Sequence, residues 1–256
     1  MKSHLIRLFA IIALAFGSQV ALAGDTDSAV YEQALANSSR HPGDSVRDSG
    51  RQPAKVLAFM GVAPGMTVLD MFSGGGYYSE IISNVVGPEG QVVAHSNKAY
   101  LQYVGEEFVA RYAGGRLPNV DILMAENNKL RLDENQFDVI MMGLSYHDTY
   151  WDNPDGGWPE IDREKLNTEL YMSLKPGGVL GVVDHYAKEG AAIDSVATLH
   201  RIDRSIVVAD LLAAGFVLDA ESDMLRNPAD DHSVGVFAPE IRGSTDRFVL
   251  RFRKPE

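Results

Sequence analysis

Cysteine is absent from all 256 residues. Its absence excludes disulfides, zinc–thiolate centres, iron–sulfur clusters, a cysteine nucleophile and a lipid-modified N-terminal cysteine. Positive charge is scarce. Lys and Arg number 23 against 35 Asp and Glu, a formal net charge of -12. So acidic a chain is repelled by nucleic acid and by anionic membrane surfaces, and neither is expected as a partner. No apolar run reaches the roughly eighteen residues that a membrane span needs. What is present, 45% hydrophobic and 23% charged residues, is the composition of a globular fold with a substantial core.

The N-terminus has its own pattern. Lys2 and Arg7 lead into an apolar run from Leu8 to Phe16, and Ala21-Leu22-Ala23 is a small-x-small triplet. This is the layout of a secretory signal peptide, with an apolar part too short to span a bilayer. Residues 1–23 are expected to be a cleaved leader, the mature protein to be secreted or periplasmic, and no membrane span to remain after cleavage. Residues 24–52 read as a polar arm or lid, in which Arg40, Arg47 and Arg51 alternate with Asp44 and Asp48. Residues 53–256 read as the folded domain.

Within that domain a short helix starts at Pro53 and stops near Gly61, with proline in the first turn and glycine at the end. Strands are expected over 66–71, 91–95, 120–124, 137–142, 179–183, 216–220 and 248–252. Helices are expected from 77, and over 98–112, 162–174 and 196–214. Strands alternating with helices imply βαβ units and a mostly parallel sheet covered on both faces. Ligands of such sheets bind at the carboxyl ends of the strands, near the switch in strand order.

Candidate site residues therefore follow the strands. After the first comes Ser73-Gly74-Gly75-Gly76, opening directly into a helix. Glycines there let the backbone approach a ligand, and the helix offers its N-terminal amides. A Cβ at Gly74 or Gly76 is expected to intrude where backbone meets ligand. Asp70, at the strand end, can accept hydrogen bonds from a ligand ammonium or from loop amides. After strands four and five come His147-Asp148 and Asp184-His185, two pairs expected to face one cleft. Each histidine can act as a base near neutral pH, and each aspartate can orient an imidazole or hold a divalent ion. The stretch from Tyr150 to Pro159 follows strand four as a long loop, in which two solvent-exposed tryptophans, Trp151 and Trp158, would be unusual.

The run Val68-Leu69-Asp70-Met71-Phe72-Ser73-Gly74-Gly75-Gly76-Tyr77-Tyr78 resembles motif I, D-x-G-x-G-x-G, of class I S-adenosylmethionine-dependent methyltransferases. Asn135-Gln136-Phe137-Asp138-Val139-Ile140, Leu174-Lys175-Pro176-Gly177-Gly178-Val179-Leu180, Ala213-Ala214-Gly215-Phe216 and Asp246-Arg247-Phe248-Val249-Leu250 are similar to later motifs of that family, in the same order. The resemblance covers roughly residues 53 to 253. It implies a Rossmann-like, doubly wound α/β fold with a seven-stranded, mostly parallel sheet and an antiparallel last strand. It also implies methyl transfer from S-adenosylmethionine to a small or medium-sized acceptor, with Asp70, Phe72, Ser73, Gly74 and Gly76 around the cofactor and the stretch from Tyr150 to Pro159 as a substrate wall. Glu126 matches the acid that meets the adenine amino group, and Asn127 the neighbour whose amide meets the ring. Two positions depart from the pattern. Phe72 replaces the first glycine of motif I. Ser96, followed by Asn97, stands where the family carries an acid for the ribose diol. The two aspartates are reminiscent of metal-dependent O-methyltransferases, but His185 stands where those carry an amide, which leaves a metal unassigned. A non-catalytic, secreted binding protein on the same scaffold is the alternative. A nicotinamide-dependent oxidoreductase has only the glycine loop in its favour.

Overall fold

The structure is a computed structural model that describes residues 26–256. The expected leader, 1–23, lies outside the described residues. In chain order the elements are α1 (Thr26–Ala36), α2 (Ser45–Arg51), α3 (Pro53–Met60), β1 (Thr67–Met71), α4 (Tyr77–Val86), β2 (Gln91–Ser96), α5 (Lys98–Tyr112), β3 (Val120–Met124), β4 (Phe137–Gly143), α6 (Arg163–Ser173), β5 (Leu174–His185), α7 (Ser195–Leu199), α8 (Arg204–Ala213), β6 (Val217–Ser222) and β7 (Arg247–Arg253).

One seven-stranded sheet runs in the order β3-β2-β1-β4-β5-β7-β6. The pairings from β3 to β5 are parallel. β7 is antiparallel to both its neighbours, β5 and β6. This is the expected α/β architecture. The strand order reverses between β1 and β4, which opens a crevice at their carboxyl ends.

The central strands are apolar on both sides, and the period of two sorts their side chains between layers. Leu69, Met71, Ile140, Met142, Leu180 and Val182 share a core with Leu166 and Leu170 of α6 and Val207 and Leu211 of α8. Val68, Val139, Met141 and Val179 face the other way, against Val56, Leu57 and Met60 of α3 and Ile81, Ile82 and Val85 of α4. Pro53 starts α3, and Gly61 closes it at φ 76°. Asn97 caps α5, Asp162 caps α6 and Asp203 caps α8, each through a side-chain oxygen that accepts a backbone N–H.

Two segments show what the sequence pattern does not. Residues 26–51 are packed into the fold: Tyr31 and Ala34 of α1 are buried in the α3–α4 layer, and the Asp44 carboxylate before α2 is buried too. The helix expected over 196–214 is broken at 200–203. Arg201 is fully buried and pairs with both oxygens of Asp230 at 2.9 Å. Ile202 runs extended beside β5, donating to the His185 carbonyl at 3.1 Å and accepting from the Ala187 amide at 3.0 Å. A helical backbone could not satisfy those partners. Among the described residues no helix is long and apolar enough to cross a membrane.

Candidate active site

A cleft of about 710 Å³ opens at the carboxyl ends of β1, β4 and β5. Its floor is the loop after β1: Phe72, Ser73, Gly74 and Gly75. His95 of β2 holds that loop from below. Its Nδ1 accepts from the Phe72 amide at 3.3 Å, its Nε2–H donates to the Ala125 carbonyl at 2.9 Å, and its own carbonyl accepts from the Ser73 amide at 2.8 Å. Those partners require a neutral ring, and burial lowers the His95 pKa to about 4.

The two glycines singled out in the sequence differ in kind. Gly74, at φ 57°, has open space ahead of it, the nearest atom to a Cβ being a Tyr100 ring carbon at 4.0 Å. Gly76, at φ 79°, backs onto the Tyr112 hydroxyl and the Arg111 side chain, which a Cβ would strike. Gly76 is therefore required by protein packing, whatever a ligand adds. Asp70 also differs from its expected role. It is buried beneath the loop and accepts from Ser79 Oγ of α4 at 2.6 Å. Burial raises its pKa to about 6, against the hydrogen bonds from Ser79. It anchors α4 and does not line the cleft.

The far wall carries both histidine–aspartate pairs. Asp184, at the end of β5, accepts the His147 and His185 amides at 2.8 and 2.7 Å and contacts His147 Nδ1 at 2.8 Å. His147 Nε2 lies 3.3 Å from Asp148 Oδ1, and the other Asp148 oxygen accepts the Tyr100 hydroxyl. Burial lowers the His147 pKa, but Asp148 and Asp184 outweigh it and raise it to about 9. Burial drives His185 well below the usual histidine range, and its Nδ1 meets Thr245 Oγ1 at 2.7 Å.

Sequence reasoning missed His200. It lies at the break between α7 and α8, with Nδ1 3.9 Å from Asp148 Oδ1 and its ring 5.5 Å from that of His147. The detectable signal was Asp203-Arg204-Ser205, a helix cap inside what read as one helix. The side walls are aromatic: Trp151 and Trp158, expected there, join Phe72 and Tyr100. Phe72 and Trp158 stack at 6.2 Å and 18°, and Trp151 abuts both Trp158 and His200. Three non-glycine residues of the cleft are left-handed: Phe72 at φ 57°, Leu144 at 63° and His200 at 52°. Each costs on the order of 1–2 kcal/mol, strain of the kind that collects at functional sites.

Ser96, Asn97, Glu126 and Asn127 lie at the ends of β2 and β3 and do not line the cleft. Asn97 Oδ1 caps α5. Glu126 is half-buried. Around those ends, Ser96 Oγ, Asn97 Nδ2 and Asn127 Oδ1 are buried without a hydrogen-bond partner, as are Ser73 Oγ and Trp158 Nε1. Each of these groups needs a water or a ligand to satisfy it.

The model of the ubiE/COQ5 methyltransferase family matches residues 49–196, more than half of the chain. The chain belongs to that family. The ubiquinone/menaquinone biosynthesis C-methyltransferase UbiE of Idiomarina loihiensis is 30% identical to it over 137 residues, 53% of this chain and 49% of that protein. The demethylmenaquinone methyltransferase of Listeria monocytogenes is 28% identical over 130 residues, 51% of this chain and 49% of that one. The chain spans about half the length of the curated relatives it matches. An S-adenosylmethionine-dependent methyltransferase from Aquifex aeolicus shares the fold, with a TM-score of 0.56 and 24% identity over 89% of this chain and 97% of that one. The family's cofactor fits the residues present. The orphaned oxygens and amide suit a diol and a purine, and the Arg51 guanidinium on the cleft wall suits a carboxylate.

Proposed function

We propose that this protein transfers a methyl group from S-adenosylmethionine to a small or medium-sized acceptor with a flat, apolar body. The observation that carries the reading is that the glycine loop after β1 and the histidine–aspartate cluster after β4 and β5 open onto one cleft. Its volume is in the range of small-molecule sites. The bound cofactor supplies an electrophilic sulfonium methyl. Ser73 Oγ, the Gly74 backbone and Arg51, on the cleft, would hold its amino-acid end. The candidates for its nucleoside are the unpartnered polar atoms of Ser96, Asn97 and Asn127, which lie behind the cleft lining at the ends of β2 and β3. Trp151, Trp158, Tyr100 and Phe72 clasp the acceptor and exclude water, which positions the nucleophile.

His147 is a poor candidate for the base, because each of its ring nitrogens faces a carboxylate. His200 is half-exposed, with its nearest carboxylate oxygen 3.9 Å away, and can accept the acceptor's proton. Asp148, Asp184 and His147 form the charged bed that orients it. Calorimetry with S-adenosylmethionine and S-adenosylhomocysteine tests the cofactor, and saturable one-to-one binding is expected. Absence of binding at millimolar ligand would overturn the reading. With labelled cofactor and a panel of phenolic and other planar acceptors, His200→Ala is expected to lower turnover 10²–10⁴-fold at unchanged cofactor affinity. Binding without turnover on any acceptor would favour the non-catalytic binding protein.

A further inference from the structure

The cluster that closes the cleft has a second reading, in the arrangement of its donor atoms. His147, Asp148 and His200 each offer one ligand atom, and these atoms lie within 4.8 Å of one another. His147 Nε2 is 3.3 Å and His200 Nδ1 3.9 Å from the same oxygen, Asp148 Oδ1. Ligands about 2.0–2.1 Å from a zinc ion sit roughly 3.3 Å apart in a tetrahedron, so the His147–Asp148 pair already has that spacing, and the His200–Asp148 edge must close by about 0.6 Å. His200 stands at the break between α7 and α8 and is half-buried.

We propose that His147 Nε2, Asp148 Oδ1 and His200 Nδ1 bind a divalent transition-metal ion whose remaining coordination position faces the cleft. Two imidazoles and one carboxylate are a borderline donor set, suited to zinc, iron(II) or cobalt(II) rather than to magnesium or calcium. The surroundings are those of a built site. The second nitrogen of His147 faces Asp184 Oδ1 at 2.8 Å, the outer carboxylate that fixes a ligating imidazole. Asp184 is itself held by two backbone amides, and the second oxygen of Asp148 by the Tyr100 hydroxyl. All three donors line the cleft, so three protein ligands leave a place for an exogenous one. A second convergence, His41, Asp44 and Glu107, lacks these features, because Arg47 and Arg111 already pair with both of its carboxylates.

The ion site goes beyond the methyl-transfer reading and does not rest on it. If the ion is resident, it replaces His200 as the group that activates an acceptor. The test is made on the full chain, stripped with chelator and without cofactor or acceptor. Zn²⁺ is titrated by calorimetry and Co²⁺ by its visible absorption. One equivalent is expected to bind, with the intense visible bands of a low-coordinate Co²⁺ centre. His200→Ala, a change at the half-exposed member of the set, is expected to weaken binding more than tenfold and remove those bands. Asp184→Asn keeps all three ligands and is expected to weaken binding about 10–100-fold. His41→Ala is expected to change nothing. The proposal is overturned if no saturable equivalent binds, if His200→Ala binds as the wild type does, or if His41→Ala abolishes binding.

Discussion

At the scale of single residues, positions that look alike in the sequence do different work. Gly74 and Gly76 belong to one motif, yet only Gly74 faces open cleft. Gly76→Ala drives a methyl group into Arg111 and Tyr112, and overpacking of this kind costs about 1–3 kcal/mol, beyond the left-handed strain. Gly74→Ala bears the strain alone. Thermal unfolding is expected to show the larger loss at Gly76, while cofactor titration shows the larger loss per unit of stability at Gly74. Equal effects in both measurements would mean that the loop is only a turn. His95 makes a second residue-scale prediction. The unfolded imidazole takes up a proton near pH 6.5, whereas the folded one does so only near 4. Its contribution is present above pH 6.5 and is lost as pH falls towards 4, about 3 kcal/mol at most at 1.36 kcal/mol per pKa unit. Urea unfolding across that window should show a shallower acid limb in His95→Asn than in wild type. Superimposable limbs would rule out His95 as the clamp of the Phe72 loop.

At the scale of elements, the sequence carried the alternation of strands and helices well. Each of those elements is specified locally, by an apolar run, a cap or a glycine. The cleft lining was legible where its residues end a strand or come soon after one, as Ser73, Gly74, His147, Asp148 and His185 do. It was not legible where a distant partner decides the local conformation. Arg201 breaks the helix expected over 196–214 because Asp230, 29 positions on, takes its guanidinium, and the break delivers His200 to the cleft. No periodicity in residues 196–214 records that pairing. Arg201→Lys keeps the charge but loses the two-pronged contact. It is expected to leave the fold intact, judged by circular dichroism, and to lower turnover in the same sense as His200→Ala. A loss of melting temperature with turnover unchanged would show that the break does not position His200.

At the scale of the whole molecule, one buried guanidinium ties the N-terminal segment to the glycine loop of the cleft. Arg111 of α5 is fully buried and bonds Asp44 at 2.9 and 3.2 Å, Glu107 at 3.0 Å, Glu80 of α4 and the Gly75 carbonyl of the glycine loop. Asp44 precedes α2, and α2 carries Arg47 and Arg51 to the cleft wall. The polar alternation of residues 40–51 reads as an arm or a lid, and Arg47 and Arg51 do reach the cleft wall. Asp44, within the same stretch, reaches a buried partner 67 residues away, Arg111, which composition cannot reveal. Removing one member of a buried ion network strands the others, at a cost of about 3–5 kcal/mol. Asp44 and Glu80 are both buried, so Arg111→Ala falls in that range. In a chain of this size each kcal/mol lowers the melting temperature by about 2–4 °C, which places the expected drop at roughly 6–20 °C. Because Gly75 and Arg51 both lose their support, cofactor affinity should fall in the same variant, even at temperatures where it remains folded. Asp44→Asn, which keeps Arg111 and two of its carboxylates, should fall between wild type and Arg111→Ala in both measurements. A variant that melts early yet binds cofactor as tightly as wild type would confine Arg111 to stability and separate the N-terminal segment from the site.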